Sequence, residues 1–309
     1  ANVGLGYACA ERLAELKPTW TIVLACRDRN KADAAAGRIK SGAGNPNIVT
    51  MDLDLASLVS VRKFAQEFSA AGLPPLRALV CNAGVQFASE TSYVDGGIET
   101  TFAVNHLGHF LLTNLLLRQL APSARIVFVA SGTHDPKKKT GIPHPRYPSA
   151  LRVAKPETDP DHAKDNTATA GKRRYSTSKL CNVYCTYEMA RRLDALGTPI
   201  TVTAFDPGLI PGTDLVRDYN PVLRFLWYNV LPRLTFLPGN IHSIRHSGHA
   251  LADLAVDPKF DGITGKYFEG RTEIPSSELS YIQDNWTDLW TTSVELAGLG
   301  PDDTPLPLA

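Results

Sequence analysis

Excess charge of either sign is what this chain most clearly lacks. Its 32 lysines and arginines face 31 aspartates and glutamates, a formal net charge of +1. A balance so even argues against nucleic acid or another polyanion as partner. Long apolar runs are also missing. No stretch reaches the length that crosses a bilayer, and the opening residues do not read as a signal peptide. Cysteine is scarce: Cys9, Cys26, Cys81, Cys181 and Cys185 are the whole complement. Two of them lie inside apolar runs, where cysteine usually serves as a small buried hydrophobe. Cys181 and Cys185 are one helical turn apart, with no second such pair to complete a zinc site. No metal is expected, and a reducing, cytoplasmic setting is. The start, Ala1-Asn2-Val3-Gly4-Leu5-Gly6, has neither an initiator methionine nor a strand ahead of it, as if the record begins inside a larger unit.

The 309 residues that are present have ordinary globular composition. They suffice for a full core without disulfides, in one large domain or two small ones. Gly4 and Gly6 precede a helical stretch over 7–14. Glycines let backbone amides approach a phosphate, and a helix N-terminus favours its charge. Two glycines fit a flexible terminus equally well. Residues 21–26 (Thr-Ile-Val-Leu-Ala-Cys) form a short apolar run typical of a buried parallel strand. It ends about twenty residues after the loop, where a dinucleotide fold reads the ribose. An acid there would suit NAD, but Cys26 and Arg27 occupy the place. The planar fork of an arginine suits the 2′-phosphate of NADP, with Arg29 near enough to share the role. A solvated surface arginine is the plain alternative.

Helix is expected over 32–39, strand over 48–51, helix over 58–68 from Leu58, Val61, Phe64, Ala65 and Phe68, and strand over 76–81. Asp52 could accept from an adenine amino group, and Asp54 could cap the following helix. Alternation of this kind predicts a doubly wound parallel sheet that binds ligands at the carboxyl ends of its strands, where Cys26, Asp52 and Asn82 fall. A long apolar helix follows over 98–120 and contains Asn105. Its amide is either a satisfied structural group or a holder of water. Ser131 ends a strand over 125–130 and alone would be a turn residue. The stretch to Tyr175 has no regular period, and Lys137-Lys138-Lys139 within it reads as solvated surface.

Tyr175 and Lys179 are four residues apart at the expected start of a helix. That spacing brings an ammonium beside a phenol. A free phenol ionises near ~10, and a fixed cation moves it toward a useful range. The pair can then give and take a proton in carbonyl/alcohol chemistry, although Tyr-x-x-x-Lys is common by chance. Another strand over 200–205 closes on Asp206-Pro207-Gly208. Residues 221–238 are rich in proline and aromatics, and read as a lid over a substrate pocket or as a helix lying in a membrane interface. His242, His246 and His249 share a helix face without a further ligand. A last strand over 266–268, a helix within 276–299 and a frayed end from Pro301 complete the reading.

In their order and spacing, the glycine loop, Arg27, Asp52-Leu53, Asn82-Ala83-Gly84, Asn105, Ser131, Tyr175-x-x-x-Lys179 and Asp206-Pro207-Gly208 resemble the classical short-chain dehydrogenase/reductases. The resemblance covers essentially the whole chain. Residues 104–112 and 175–182 look most like the branch of retinol dehydrogenases, WW-domain oxidoreductases and protochlorophyllide reductases. It implies a single-domain, Rossmann-like α/β fold of three layers. It also implies NADP(H) held by Asn2, Gly4, Leu5, Gly6, Arg27, Asp52, Leu53, Asn82, Ala83, Gly84, Tyr175, Lys179, Pro207, Gly208 and Thr213. Tyr175 would pass the proton, Lys179 lower its pKa and hold the nicotinamide ribose, Ser131 bind the substrate oxygen, and Asn105 keep a water that links Lys179 to solvent. The chain departs from the family in two places. The Thr-Gly opening of the glycine loop and the central strand before it are missing. The threonine after the Pro-Gly turn is displaced by one, to Thr213.

Residues 132–174 and 209–240 would line the substrate side, and their length and aromatic content favour a hydrophobic carbonyl or alcohol. A light-dependent reductase of the protochlorophyllide type and an inactive NADP-binding regulator are the alternatives. The resemblance allows a monomer or a homodimer.

Overall fold

The computed structural model describes residues 1–87, 90–161, 165–213, 221–234 and 241–308. The first part of the chain alternates as its apolar runs require: α1 (Gly4–Leu16), β1 (Ile22–Cys26), α2 (Arg29–Ala43), β2 (Ile48–Asp52), α3 (Leu58–Ala70) and β3 (Leu76–Cys81). Side chains close the open amides of two helices. Asp28 accepts from Lys31 N ahead of α2, and Ser57 accepts from Ser60 N ahead of α3. Asp54 therefore does not cap α3. Its carboxylate takes Ala56 N in the turn before it, at 3.0 Å.

A small hairpin, β4 (Tyr93–Val94) and β5 (Ile98–Glu99), precedes the apolar helical stretch. That stretch begins later than its sequence suggests, because Ile98 and Glu99 pair in the hairpin. It consists of α4 (Thr100–Phe102), a wide π-helical turn (Ala103–Leu107) and α5 (Gly108–Leu116). Then come β6 (Leu120–Val129), α6 (Ala150–Ala154), α7 (Thr167–Ala195) and β7 (Thr201–Asp206). Tyr175 lies well inside α7 rather than at its start. The added turns are polar (Thr167, Thr169, Lys172, Arg173) and carry no apolar period, and Asn166 caps them. The chain continues through α8 (Pro221–Phe225), α9 (Ile244–Val256), β8 (Lys266–Glu269), β9 (Thr272–Ile274) and α10 (Gln283–Ala297).

β3, β6, β7 and β8 form a parallel sheet in that order, with β9 added antiparallel at its edge. β1 and β2 make a separate parallel pair. Among the described residues β1 pairs only with β2, and β3 only with β6. Both pieces nevertheless feed the same two cores, because alternate strand residues face opposite sides. Ile126, Phe128, Val23 and Ala25 pack with Phe64, Phe110, Tyr184 and Trp290 on one side. Val127, Val129, Leu24 and Cys26 pack with Ala35, Ile39 and Leu251 on the other. The result is three layers, helices on both faces of a mostly parallel sheet.

The end of the chain is docked rather than frayed. Thr304 and Leu306 are buried. Arg62 reaches Asp303 at 3.0 Å, and Thr304 Oγ1 donates to Asn114 Oδ1 at 2.9 Å. Asn114 is fully buried in α5, and the tail supplies the partner that a buried amide needs. His242 precedes α9 and stacks on His246 at 5.0 Å. Among the described residues no group of three or more histidines, cysteines or acids could hold a metal ion, nor is any helix long and apolar enough to cross a membrane.

α1 and α9 meet very closely. A Cβ added at Gly248 would stand 2.4 Å from the Cβ of Ala8 and 3.0 Å from backbone atoms of Ala8 and Cys9. Gly248→Ala should therefore lower stability by about 1–3 kcal/mol, the usual range for overpacking. The check is a lower urea midpoint with an unchanged slope; an unaltered midpoint would show that the two helices part without strain.

Candidate active site

The end of β6 and the middle of α7 are joined through one carbonyl. Lys179 Nζ donates to Val129 O at 2.9 Å, and Asn182 Nδ2 donates to the same oxygen at 3.1 Å. Val129 is the last residue of β6, so α7 is fixed at Lys179 and Asn182 against the strand end that leads, two residues on, to Ser131. Lys179 Nζ lies 5.6 Å from the centre of the Tyr175 ring, and both residues are buried. Burial pulls the Lys179 ammonium down from its ordinary value to about 8, while the charge of Asp206 pushes it back up. A cation that changes charge in this range stands next to a phenol.

Asn105 sits in the π-helical turn, whose extra width lets an inward side chain reach past its own helix. Its Nδ2 donates to Ser178 Oγ and to Val85 O, each at 2.9 Å, and its Oδ1 accepts from Val85 N at 2.7 Å. The buried amide is satisfied by protein and clamps the residues after Asn82-Ala83-Gly84. A Cβ placed on Gly84 would lie 3.4 Å from Asn105 Oδ1 and 3.5 Å from Lys179 Nζ, so this backbone runs directly over both. One turn beyond Asn105, His109 Nε2 is 2.9 Å from Ala83 O. A carbonyl only accepts, so Nε2 must donate. Burial lowers the ring to about 4 and keeps it neutral for that task. The sequence reading assigned His109 no role; its place one turn after Asn105 was the available signal.

Ser131 is half-buried in extended backbone ahead of a short 3₁₀ turn (Gly132–His134). His134 pins this turn through Nδ1, 2.7 Å from Ser131 O, while its Nε2 accepts from Ser277 N at 3.1 Å. Lys138 is not a solvated residue. It pairs with Glu269, lies 3.6 Å from Asp206 Oδ2, and packs against Gly132. Further along the same segment, ion pairs of Arg146 with Asp159 and of Arg173 with Asp165 wall a cavity of ≈ 270 Å³ against α7.

At the same carboxyl ends of the strands, the cap residue of α1, Val3, offers no side chain to the first-turn amides, which are left without a side-chain cap. Gly4 is left-handed (φ +60°), and a Cβ on Gly6 would stand 2.7 Å from Asn82 Nδ2. The helix start and the Asn82 loop thus nearly touch. Asn2 is half-buried and Leu5 buried beside them. Arg29 is held by Asp33 at 3.3 Å and Asp52 at 3.5 Å, while Arg27 is exposed at the end of β1. Leu53 is buried, and its N–H donates to Cys26 O at 3.0 Å. Asp206 Oδ1 accepts from Gly208 N at 2.9 Å, and Ser247 Oγ donates to Pro207 O at 2.7 Å. Thr213 lies beyond this turn, where its hydroxyl donates to Ile210 O at 3.2 Å and its carbonyl accepts from Trp227 Nε1 at 2.9 Å. Of the expected lid, Pro221–Phe225 is helical and Phe225 and Leu226 are exposed. Residues 214–220 and 235–240 lie outside the described residues.

The sequence profile described as short chain dehydrogenase matches residues 1–143. Protochlorophyllide reductase A of Oryza sativa subsp. japonica is 34% identical over 318 residues, covering 97% of this chain and 79% of its own. Polyprenol dehydrogenase of Homo sapiens is 31% identical over 302 residues, covering 96% of this chain and 82% of its own. Among solved structures, an uncharacterised protein of Mycobacterium paratuberculosis superposes with a TM-score of 0.67 at 27% identity, over 96% of this chain and 91% of that one. With relatives of this identity along nearly its whole length, the chain belongs to the short-chain dehydrogenase/reductase family of oxidoreductases.

Proposed function

We propose that the protein interconverts a hydrophobic carbonyl and its alcohol with NADP(H). The observation that carries this reading is the Lys179 ammonium, buried, one turn from Tyr175 and held by the carbonyl of Val129, two residues before Ser131. Tyr175 gives its phenolic proton to a substrate oxygen, or takes it back in the other direction, and Lys179 favours the phenolate that is left behind. Ser131 donates to the same oxygen and stabilises charge as it develops. Asn105, next to Lys179 across Gly84, holds a water through its remaining lone pair and joins Lys179 to solvent.

The residues fit a dinucleotide. The uncapped start of α1, with Gly4 and Gly6, suits a diphosphate. Arg27 suits the 2′-phosphate, since Arg29 is committed to Asp33 and Asp52. Asn2 and Leu5 would hold the cofactor with Gly4 and Gly6, Asp52 and Leu53 would serve its adenosine end, Asn82, Ala83 and Gly84 its middle, and Tyr175, Lys179, Pro207, Gly208 and Thr213 its nicotinamide end. When bound, the nicotinamide supplies or accepts the hydride. Exposed Phe225 and Leu226 support a hydrophobic substrate and peripheral membrane contact through 221–238 of an otherwise cytoplasmic monomer or homodimer. The similarity to polyprenol dehydrogenase points the same way.

A second reading, light-dependent reduction of a tetrapyrrole double bond, is favoured by the similarity to protochlorophyllide reductases. It predicts loss of protochlorophyllide absorbance only under illumination. The retained Ser131, Tyr175 and Lys179 speak against a regulator that has lost catalysis, which would need no proton donor.

Two substitutions test the first reading. Tyr175→Phe should lower turnover of hydrophobic aldehydes and ketones at saturating NADPH by at least ~100-fold; undiminished turnover would sink the reading. Arg27→Ala should weaken NADPH binding by about 10-fold or more, the loss of one charge-assisted contact, and leave NADH binding unchanged. Equal losses for both cofactors would remove Arg27 from the 2′-phosphate site.

A further inference from the structure

The Asp206-Pro207-Gly208 turn has a charged member that the proposed mechanism does not use. Asp206 ends β7 and is 1% exposed. The preceding residue, Phe205, pairs in register with Val129, whose carbonyl holds Lys179. The Asp206 carboxylate is well furnished. Oδ1 accepts from Gly208 N at 2.9 Å, and Oδ2 accepts from Tyr267 Oη at 3.0 Å with Lys138 Nζ at 3.6 Å. Lys138 also binds Glu269 on the next strand. The backbone after Ser131 passes over this pair: a Cβ on Gly132 would lie 3.0 Å from Asp206 Oδ2 and 3.0 Å from Lys138 Cδ. One buried carboxylate therefore acts on two lysines: Lys138 approaches it from the loop that carries Ser131, and Lys179, held by Val129 O on the adjoining strand, feels its charge.

We propose that Asp206 is the counter-charge that keeps Lys179 protonated, and that Lys138, by binding the same carboxylate, limits that effect and sets the pH range in which the Tyr175–Lys179 pair works. The catalytic part of this statement rests on the oxidoreductase reading above. Both are positioning residues, acting through Lys179. The other titratable groups around them are accounted for. On the helical side Lys179 faces Tyr175 and His109, with His106 behind His109, and burial holds both imidazoles far below their ordinary value and neutral. On the far side, Asp206 faces Tyr267 and Glu269 from β8 and His134 from the 3₁₀ turn, with Asp135 acting on His134 in turn. Burial pushes Tyr267 well up, so it stays a neutral donor, and lowers His134. Lys138 is pulled down by burial, but its bond to Glu269 and the charges of Asp206 and Glu269 raise it overall. It remains charged beside Asp206.

Nuclear magnetic resonance of the full, cofactor-free chain with ¹³C at the lysine ε-carbon tests this directly, with the Lys179 signal assigned by its loss in Lys179→Met. Asp206→Asn should move the Lys179 titration midpoint down by about one pH unit or more, and Lys138→Met should move it up. The alkaline limit of carbonyl reduction should shift in the same two directions. Unmoved midpoints, or shifts of both variants in one direction, overturn the proposal. Should Asp206→Asn fail to fold, Lys138→Met decides: an upward shift supports the proposal and any other result overturns it. If the midpoints move as stated while no carbonyl is reduced by the unaltered protein, the charge arrangement stands and the oxidoreductase reading fails.

Discussion

An ammonium taken out of water loses hydration worth several kcal/mol, and a fold that buries one must supply partners at fixed positions. Lys179 is 3% exposed, and much of the architecture serves that requirement. Its hydrogen-bond acceptor, Val129 O, is at the end of a strand buried between β3 and β7. Its counter-charge, Asp206, ends the neighbouring strand. Strand ends are the right place for such groups. There the ladder stops and side chains can converge, while the strands behind hold them still.

The rest of the site is built against the same point. α7 is buried along most of its length, and Asn182 doubles its attachment to Val129. Farther along, Glu188 and Arg192 form a buried ion pair at 2.8 Å, and Arg192 lies 4.5 Å above the ring of Trp290. A buried pair of this kind contributes little net stability, but it fixes how the helix sits against α10. From the opposite side, Asn105 and His109 lock the loop after β3 by binding Val85 and Ala83. Ser131, just after β6, and Tyr175 and Lys179, both on α7, are thus held by two buried elements, with the Asn105 helix bracing the adjoining loop after β3.

Local pattern disclosed much of this. The apolar runs at β1, β2, β3 and β7 and the spacing of Val61, Phe64, Ala65 and Phe68 follow directly from which faces must be buried. The spacing of Tyr175 and Lys179 puts both on one face whatever surrounds them. Other features depend on partners distant in the chain. The polar first turns of α7 carry no apolar period, so its true start was hidden. Lys138 looks like surface in a run of lysines, and only the approach of Glu269 and Asp206 gives it a partner. The tail after Pro301 reads as loose until Asn114 is seen to need Thr304. Asp206 drew attention as part of a turn; its neighbours at Tyr267 and Lys138 show it as a charge.

The central claim is that a proton from Tyr175, supported by Lys179, meets a carbonyl oxygen while hydride comes from NADPH. It is most directly tested in the dark, with NADPH deuterated at nicotinamide C4 and a panel of hydrophobic aldehydes and ketones. The account predicts an alcohol carrying deuterium at the carbinol carbon. Absence of deuterium transfer to every carbonyl in the dark, with reduction of protochlorophyllide on illumination, would contradict it.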